Sequence, residues 1–340
     1  MYSRKQAGLP ALFLGLALIL AACSTPASES VATPEAQIET VEISAEDAPT
    51  QNTESPVSAL AFAPDGTAII SGHRDGSIVR HEIGSDVGVM LSGHSQAVTM
   101  LDISPDGTQL ASIGRDKQTI LQSMDGDSVW AMPESLSEPN TIDFSPDGAT
   151  LAEAFWEQLE FWPMADPSAG AKIAEGLEPS IRLARYAPDG ETLAVALANT
   201  GLAQPAILHI SADNGSILTT VTPAAPVEAL IYSPDGASYV TLMKEEVQVW
   251  GAESTTPGLT LKRGGVADAV FGAEGATLSM VTLTTNGLQI VTWDIQNDKE
   301  IASREEAIEG VTAAAFSPDG AQIAAGKDDG TIVIIPTAQE

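Results

Sequence analysis

Asp102 and Asp143 stand 41 residues apart, each two positions before an identical Ser-Pro-Asp-Gly tetrapeptide. Carboxylates brought close together can share a proton, divide acid and base roles, or hold a cation. The matching place before Ala187-Pro188-Asp189-Gly190 holds Arg185, so an Asp143–Arg185 ion pair is the structural alternative to such chemistry. Other chemistry finds little support. The four histidines, His73, His81, His94 and His209, show no H-x-x-x-H spacing, so neither zinc nor a histidine-based triad is expected. There is no G-x-S-x-G elbow and no phosphate-binding glycine loop. Asp125-Gly126-Asp127 and Asp328-Asp329-Gly330 lack the full ladder of calcium ligands and read as turns. No catalytic residue, metal or cofactor is expected on these grounds. The only thiol is Cys23.

The chain that must position these residues has 340 of them, 44% hydrophobic, with mean hydropathy +0.07, enough to bury a sizeable core. Lys and Arg number 15 against 46 Asp and Glu, a net charge of −31. That is the wrong sign for neutralising phosphates, which argues against nucleic acid and anionic bilayer surfaces as partners. The same acidity is also what a saline environment would favour.

Seven turns recur along the chain: Ala63-Pro64-Asp65-Gly66, Ser104-Pro105-Asp106-Gly107, Ser145-Pro146-Asp147-Gly148, Ala187-Pro188-Asp189-Gly190, Ser233-Pro234-Asp235-Gly236, the degenerate Gly272-Ala273-Glu274-Gly275, and Ser317-Pro318-Asp319-Gly320. From acid to acid the steps are 41, 41, 42, 46, 39 and 45 residues. Proline presets the first central φ, aspartate suits the second central place, and glycine accepts the left-handed conformation that returns the chain. An apolar strand precedes each turn and two short strands follow, with no sustained helical period after residue 22, so the pattern predicts an all-β repeat array.

With these features the chain resembles the WD-repeat β-propeller family over residues 57–340. Gly93-His94 matches the family's GH pair, Trp293-Asp294 its WD pair, and Asp75-Gly76 and Asp329-Gly330 its turn between the second and third strands. Tol-type repeats share the Pro-Asp-Gly turn but lack the GH and WD positions. The resemblance implies a seven-bladed propeller of four-stranded antiparallel blades. At the place of the family's tryptophan we read His81, Ser123, Trp162, Ile210, Trp250, Trp293 and Ile335, so the bracing hydrogen-bonded tetrad is nearly complete in one or two blades at most. The last repeat ends three strands in, and residues 38–44, with Ile38, Val41 and Ile43, are the candidate for the missing outer strand.

The N-terminus has its own signature. Arg4 and Lys5 precede an apolar run, residues 7–22, that is short for a membrane span. Leu20-Ala21-Ala22-Cys23 is similar to the lipobox of bacterial lipoproteins, which implies that residues 1–22 are a signal peptide and that Cys23 carries the lipid. The mature chain would then carry −33 and be exported and membrane-anchored on a periplasmic or cell-surface face. Residues 23–56 hold seven acids and no base, which predicts a solvated tether.

The resemblance also selects a surface. The residue preceding the acid of the second-to-third-strand turn lies on the family's upper face, a frequent site for protein partners. Here it reads Arg74, Arg115 and Trp156 in three successive blades, Lys244 in the fifth and Asp328 in the seventh. Arg and Trp are the types most enriched at interface hot spots. Arg182 would extend this patch, whereas Trp130 reads as a packing residue. The expectation is a non-catalytic protein-interaction platform. The alternative is a propeller hydrolase or lactonase using Asp102, Asp143 or a bound calcium in the central channel.

Overall fold

The computed structural model describes residues 41–43 (backbone), 54–85, 87–126, 128–132, 137–174, 177, 180–198 and 204–337. The expected signal peptide, Cys23 and most of the tether lie outside the described residues.

Each Pro-Asp-Gly turn joins the first two strands of one four-stranded antiparallel sheet. Strand β1 (Val41–Ile43) comes first in sequence. Blade 1 is β2 (Val57–Phe62), β3 (Ala68–His73), β4 (Ile78–Glu82) and β5 (Gly88–Leu91), and blade 2 is β6 (Val98–Ile103), β7 (Gln109–Gly114), β8 (Thr119–Ser123) and β9 (Val129–Ala131). Blade 3 is β10 (Thr141–Phe144), β11 (Thr150–Ala154), β12 (Leu159–Pro163) and β13 (Lys172–Ile173), and blade 4 is β14 (Ile181–Tyr186), β15 (Thr192–Leu197), β16 (Ala206–Ser211) and β17 (Ile217–Val221). Blade 5 is β18 (Val227–Tyr232), β19 (Ser238–Met243), β20 (Val247–Gly251) and β21 (Leu259–Leu261), and blade 6 is β22 (Val266–Phe271), β23 (Thr277–Thr284), β24 (Gly287–Asp294) and β25 (Lys299–Glu306). Blade 7 has β26 (Val311–Phe316), β27 (Gln322–Lys327) and β28 (Ile332–Pro336), and β1 completes it by pairing antiparallel with β28, Val41 opposite Ile334 and Ile43 opposite Ile332. Between β12 and β13 lies a single 3₁₀ turn, Pro167–Ala169.

The first strands of successive blades contact one another all the way round, β26 meeting β2, so the fold is a closed seven-bladed propeller. The turns obey their sequence. All seven glycines, including Gly275 of the degenerate copy, have φ between +68° and +71°. Each turn aspartate also clips its own loop: Asp106 Oδ1 accepts the Thr108 N–H at 3.0 Å and the Ser104 hydroxyl at 2.7 Å. From blade 1 to blade 5 the proline of one turn rests beside the glycine of the next, as Pro146 against Gly190 and Pro188 against Gly236, so these turns stack along the lower face.

Apolar residues form seven cores, one in each joint between neighbouring blades. Alternation along a strand sends its two faces into two different joints, as a strand period of two requires. Ile69 packs towards blade 7 and Ile70 towards blade 2. The upper face is built from the turns between second and third strands and from the links between blades.

Candidate functional site

On the upper face, Arg74, Arg115 and Trp156 occupy the same turn of blades 1, 2 and 3, and all three are exposed. The backbone of each turn is fixed to an interblade link. Arg74 N–H donates to the Pro56 carbonyl at 3.0 Å, Arg115 N–H to Ala97 at 2.9 Å, and the Trp156 carbonyl accepts the Ser180 and Ile181 N–H groups at 2.7 and 3.1 Å. The side chains therefore project from rigid turns. Trp156 is 44% exposed, the one aromatic among the described residues that stands this far out.

The acids beside the arginines are committed elsewhere. Asp75 Oδ1 accepts the Ser77 N–H and hydroxyl at 3.0 and 2.6 Å. Asp116 takes the His94 ring at 3.0 Å and the Ser95 N–H at 2.8 Å. These bonds hold Asp75 and Asp116 below the ordinary carboxylate value despite partial burial. Arg74 and Arg115 consequently have no ion pair among the described residues. Lys244 is exposed on the same face in blade 5, outside the three-blade arc. Arg182 is exposed at the bulge that opens β14, on the innermost strand rather than in the turn set.

Beneath this face lie the remains of a bracing network. In blade 2, His94 Nε2 meets the Ser112 hydroxyl at 2.9 Å while Nδ1 meets Asp116, and Gly114 leaves room for the ring: a Cβ there would sit 2.5 Å from His94. In blade 1 the residue at the place of Gly114 is His73 itself, and its Nε2 meets Ser71 at 2.9 Å. The same imidazole–hydroxyl contact is thus supplied from a different point of the chain. His81 adds a second ring on Ser71 at 3.1 Å, and burial pushes its imidazole down to about 4.

The tryptophan place needs one correction. The sheet register sets Gln122, not Ser123, opposite Leu110, as Trp162 stands opposite Leu151 and Trp250 opposite Tyr239. A repeat spacing read by eye slips by one when turns differ in length, and one residue reverses the face. Gln122 makes paired amide bonds to the Ser92 backbone at 2.9 and 2.8 Å. Of the three tryptophans at this place, Trp250 donates to Thr241 at 3.0 Å and Trp162 to Glu153 at 3.0 Å. Trp293, in the literal WD pair, has a buried N–H without a partner among the described residues, because Met280 stands where the other two tryptophan blades carry Glu153 and Thr241. Glu153 also accepts the Thr119 hydroxyl of blade 2 at 2.5 Å, and burial raises it to about 7. Trp130 packs edge-on against Trp162, ring centres 5.7 Å apart.

In the channel the predicted carboxylates do come together, and each is occupied. Asp102 Oδ2 accepts the Phe144 N–H of the next blade at 2.7 Å, and Asp143 Oδ2 accepts the Tyr186 N–H of the next at 2.6 Å. Arg185 lies 2.5 Å from Asp143 Oδ1. Sequence reading missed Asp268, which does the same service two positions earlier on its strand, accepting Phe316 N–H at 2.9 Å. Two positions along a strand keep the same face, so Asp268 reaches the next blade's backbone from a place that matching to Asp102 and Asp143 passes over. Burial in the channel wall, then repulsion from Asp143, raises Asp102 to about 7 against the pull of Arg185. Burial alone raises Asp268 to about 6. Asp143 is raised by burial and lowered by Arg185, with the net effect upward. Channel water still reaches half-buried Asp102 and 34% of the Arg185 side chain.

The upper mouth is laced by donors in the same manner. Ser58 donates to the Val98 carbonyl at 2.7 Å, Asn140 to Ile181 at 2.7 Å, and Thr312 to Val57 at 2.7 Å, each crossing to the next blade. Backbone ties of this kind are what a structural role requires. A separate cleft of about 1210 Å³ opens on the lower outer side between blades 3 and 4, lined among others by Phe161, Lys172, Ile173, Tyr186 and Asp213.

Comparison with known proteins agrees with the architecture. Residues 49–79, 85–121 and 304–335 match the family described as WD domain, G-beta repeat. These stretches fall on blades 7, 1 and 2, where the GH pair and the two Asp-Gly turns lie. With the seven four-stranded blades, they support a WD40-type propeller. No curated protein matches the chain.

Proposed function

We propose that this WD40-type propeller is an exported, lipid-anchored interaction platform without chemistry of its own, and that it holds a protein partner on its upper face. Propellers of this type suit scaffolding because every blade contributes turns to one wide, rigid surface. The observation that carries the reading is the arc of Arg74, Arg115 and Trp156, exposed on three successive blades, its two arginines without an ion pair among the described residues. The anchor rests on the lipobox-like sequence ending at Cys23 and places the platform at a membrane without embedding it. The channel carboxylates support stability rather than catalysis, since each already accepts a backbone N–H.

The test is crosslinking of the full chain in membranes, beside an Arg74→Glu, Arg115→Glu, Trp156→Ala variant shown by circular dichroism and melting to fold alike. Capture by the native chain and loss in the variant is the expected result. Equal capture by both, or none by either, removes the arc from consideration and returns attention to the channel. Mass spectrometry of the mature N-terminus tests the anchor: an unmodified Cys23 or an uncleaved leader overturns it.

A further inference from the structure

We infer that the upper-face arc recognises an acidic, extended protein segment with an apolar residue beside its carboxylates; this rests on the platform reading and specifies its partner. In a chain holding 46 acids against 15 bases, a surface cation ought to find a carboxylate of its own. Among the described residues six of the thirteen lysines and arginines do: Arg80, Arg185, Lys262, Arg263, Arg304 and Lys327 each pair with one. Among the described residues Arg74 and Arg115 have none, although Asp75 and Asp116 stand directly beside them in sequence. Asp75 bonds Ser77 in its own turn and Asp116 bonds His94 and Ser95 in the link before β6, and both arginines remain exposed. Two equivalent turns on adjacent blades thus hold two planar donors ready for carboxylates.

Trp156 continues the arc with an exposed ring on which an apolar side chain can rest. The turns between first and second strands on the opposite face carry Asp65, Asp106, Asp147, Asp189, Asp235, Glu274 and Asp319 and no base, so an acidic segment is favoured at Arg74 and Arg115 over that face, while exposed Glu157 beside Trp156 calls for the segment's apolar residue there. Two free arginines are too few for a nucleic-acid backbone, where specific binders neutralise roughly 6–10 phosphates. An anionic bilayer would meet a body of net −31. A short acidic peptide fits both the number of cations and the scale of the arc.

The test uses the full chain in detergent and a short fluorescein-labelled peptide alternating glutamate and leucine, read by anisotropy. Matched peptides carry glutamine or lysine in place of glutamate; phosphatidylglycerol vesicles and a labelled oligothymidylate are further arms. The glutamate peptide should bind, and added salt should weaken it. The Arg74→Glu, Arg115→Glu variant should bind it about tenfold more weakly and should now prefer the lysine peptide, while Arg74→Gln, Arg115→Gln loses the first without gaining the second. Trp156→Ala should give a smaller loss. Equal binding of glutamate and glutamine peptides, insensitivity to charge reversal, or preference for the vesicles or the oligonucleotide overturns the inference. If crosslinked capture depends on the arc but excess glutamate peptide does not compete with it, the platform stands and this inference falls. If capture ignores the arc, the platform falls with it.

Discussion

Between blades 7 and 1, six buried apolar residues fill the joint and Thr312 ties the innermost strands through the Val57 carbonyl. Between blades 4 and 5 there are ten, including fully buried Trp250 and Tyr239 stacked with centroids 6.0 Å apart, and among the described residues no side chain ties innermost strand to innermost strand. The joint between blades 5 and 6 repeats this, with ten buried residues in its core. One ring is therefore closed by two means. Where Ser58, Asn140, Asp102, Asp143, Asp268 and Thr312 reach across, hydrogen bonds to the neighbouring backbone supplement a smaller core at most joints. Where the matching places hold exposed Arg182 and Glu228 or half-buried Ile231, the ten-residue cores of the joints do the work by burial. A repeat fold tolerates this exchange because each joint is stabilised by nearest neighbours alone.

The contrast breaks most visibly at its apolar end. Trp250→Ala removes a fully buried indole and leaves Thr241 without its donor, and should cost about 3–5 kcal/mol, read as a fall in the urea midpoint. A loss below about 1 kcal/mol would show that this joint does not depend on its core.

At the joint of blades 3 and 4, which has both backbone ties and the largest core, twelve buried residues, Asp143→Ala leaves the Tyr186 N–H unpaired and Arg185 without its carboxylate. The cost should be about 2–3 kcal/mol, below the value for a fully buried pair because channel water reaches the guanidinium. Adding Arg185→Met should recover part of it. A double variant no better than the single would show that the backbone bond, not the stranded charge, dominates.

The smallest effect is in pH. The native Asp102 carboxyl keeps its proton between its ordinary value of 3.8 and about 7, where the unfolded chain has released it. Its contribution to stability therefore falls as pH rises through that window. An asparagine side chain has no such proton to release, so Asp102→Asn should gain melting temperature relative to the native chain between about pH 5 and about pH 8. His73, His81 and His209, all lowered by burial, act with the opposite sign, losing stability as pH falls below 6.5, and cancel in the difference. A difference that stays flat with pH would place the Asp102 titration outside this range.

Much of the architecture was legible because its signals are local. Pro-Asp-Gly sets φ within four residues, and seven copies at a near-constant interval announce seven blades without reference to distant contacts. Strand counting, equally local, pointed to residues 38–44, within which β1 lies. The bracing network was less legible, because what matters there is which side chains meet across a sheet. The literal Trp293-Asp294 pair reads as the family's hallmark, yet Met280 leaves its indole unpartnered. His73, which no sequence pattern singles out, replaces the imidazole that His94 supplies in the next blade.

The sequence by itself determined the repeat, the turns, the acid excess and the candidates Arg74, Arg115, Trp156, Asp102 and Asp143, since residue type and interval suffice for each. Only the tertiary structure decided that Asp75 bonds Ser77 and Asp116 bonds His94 and Ser95, leaving the two arginines without an ion pair among the described residues, and that Asp102, Asp143 and Asp268 each accept an N–H from the following blade. Those partners lie across a turn, a bulge or some forty residues of chain. Hydrogen bonding depends on angstroms and on face, which strand register and ring closure fix and linear spacing does not.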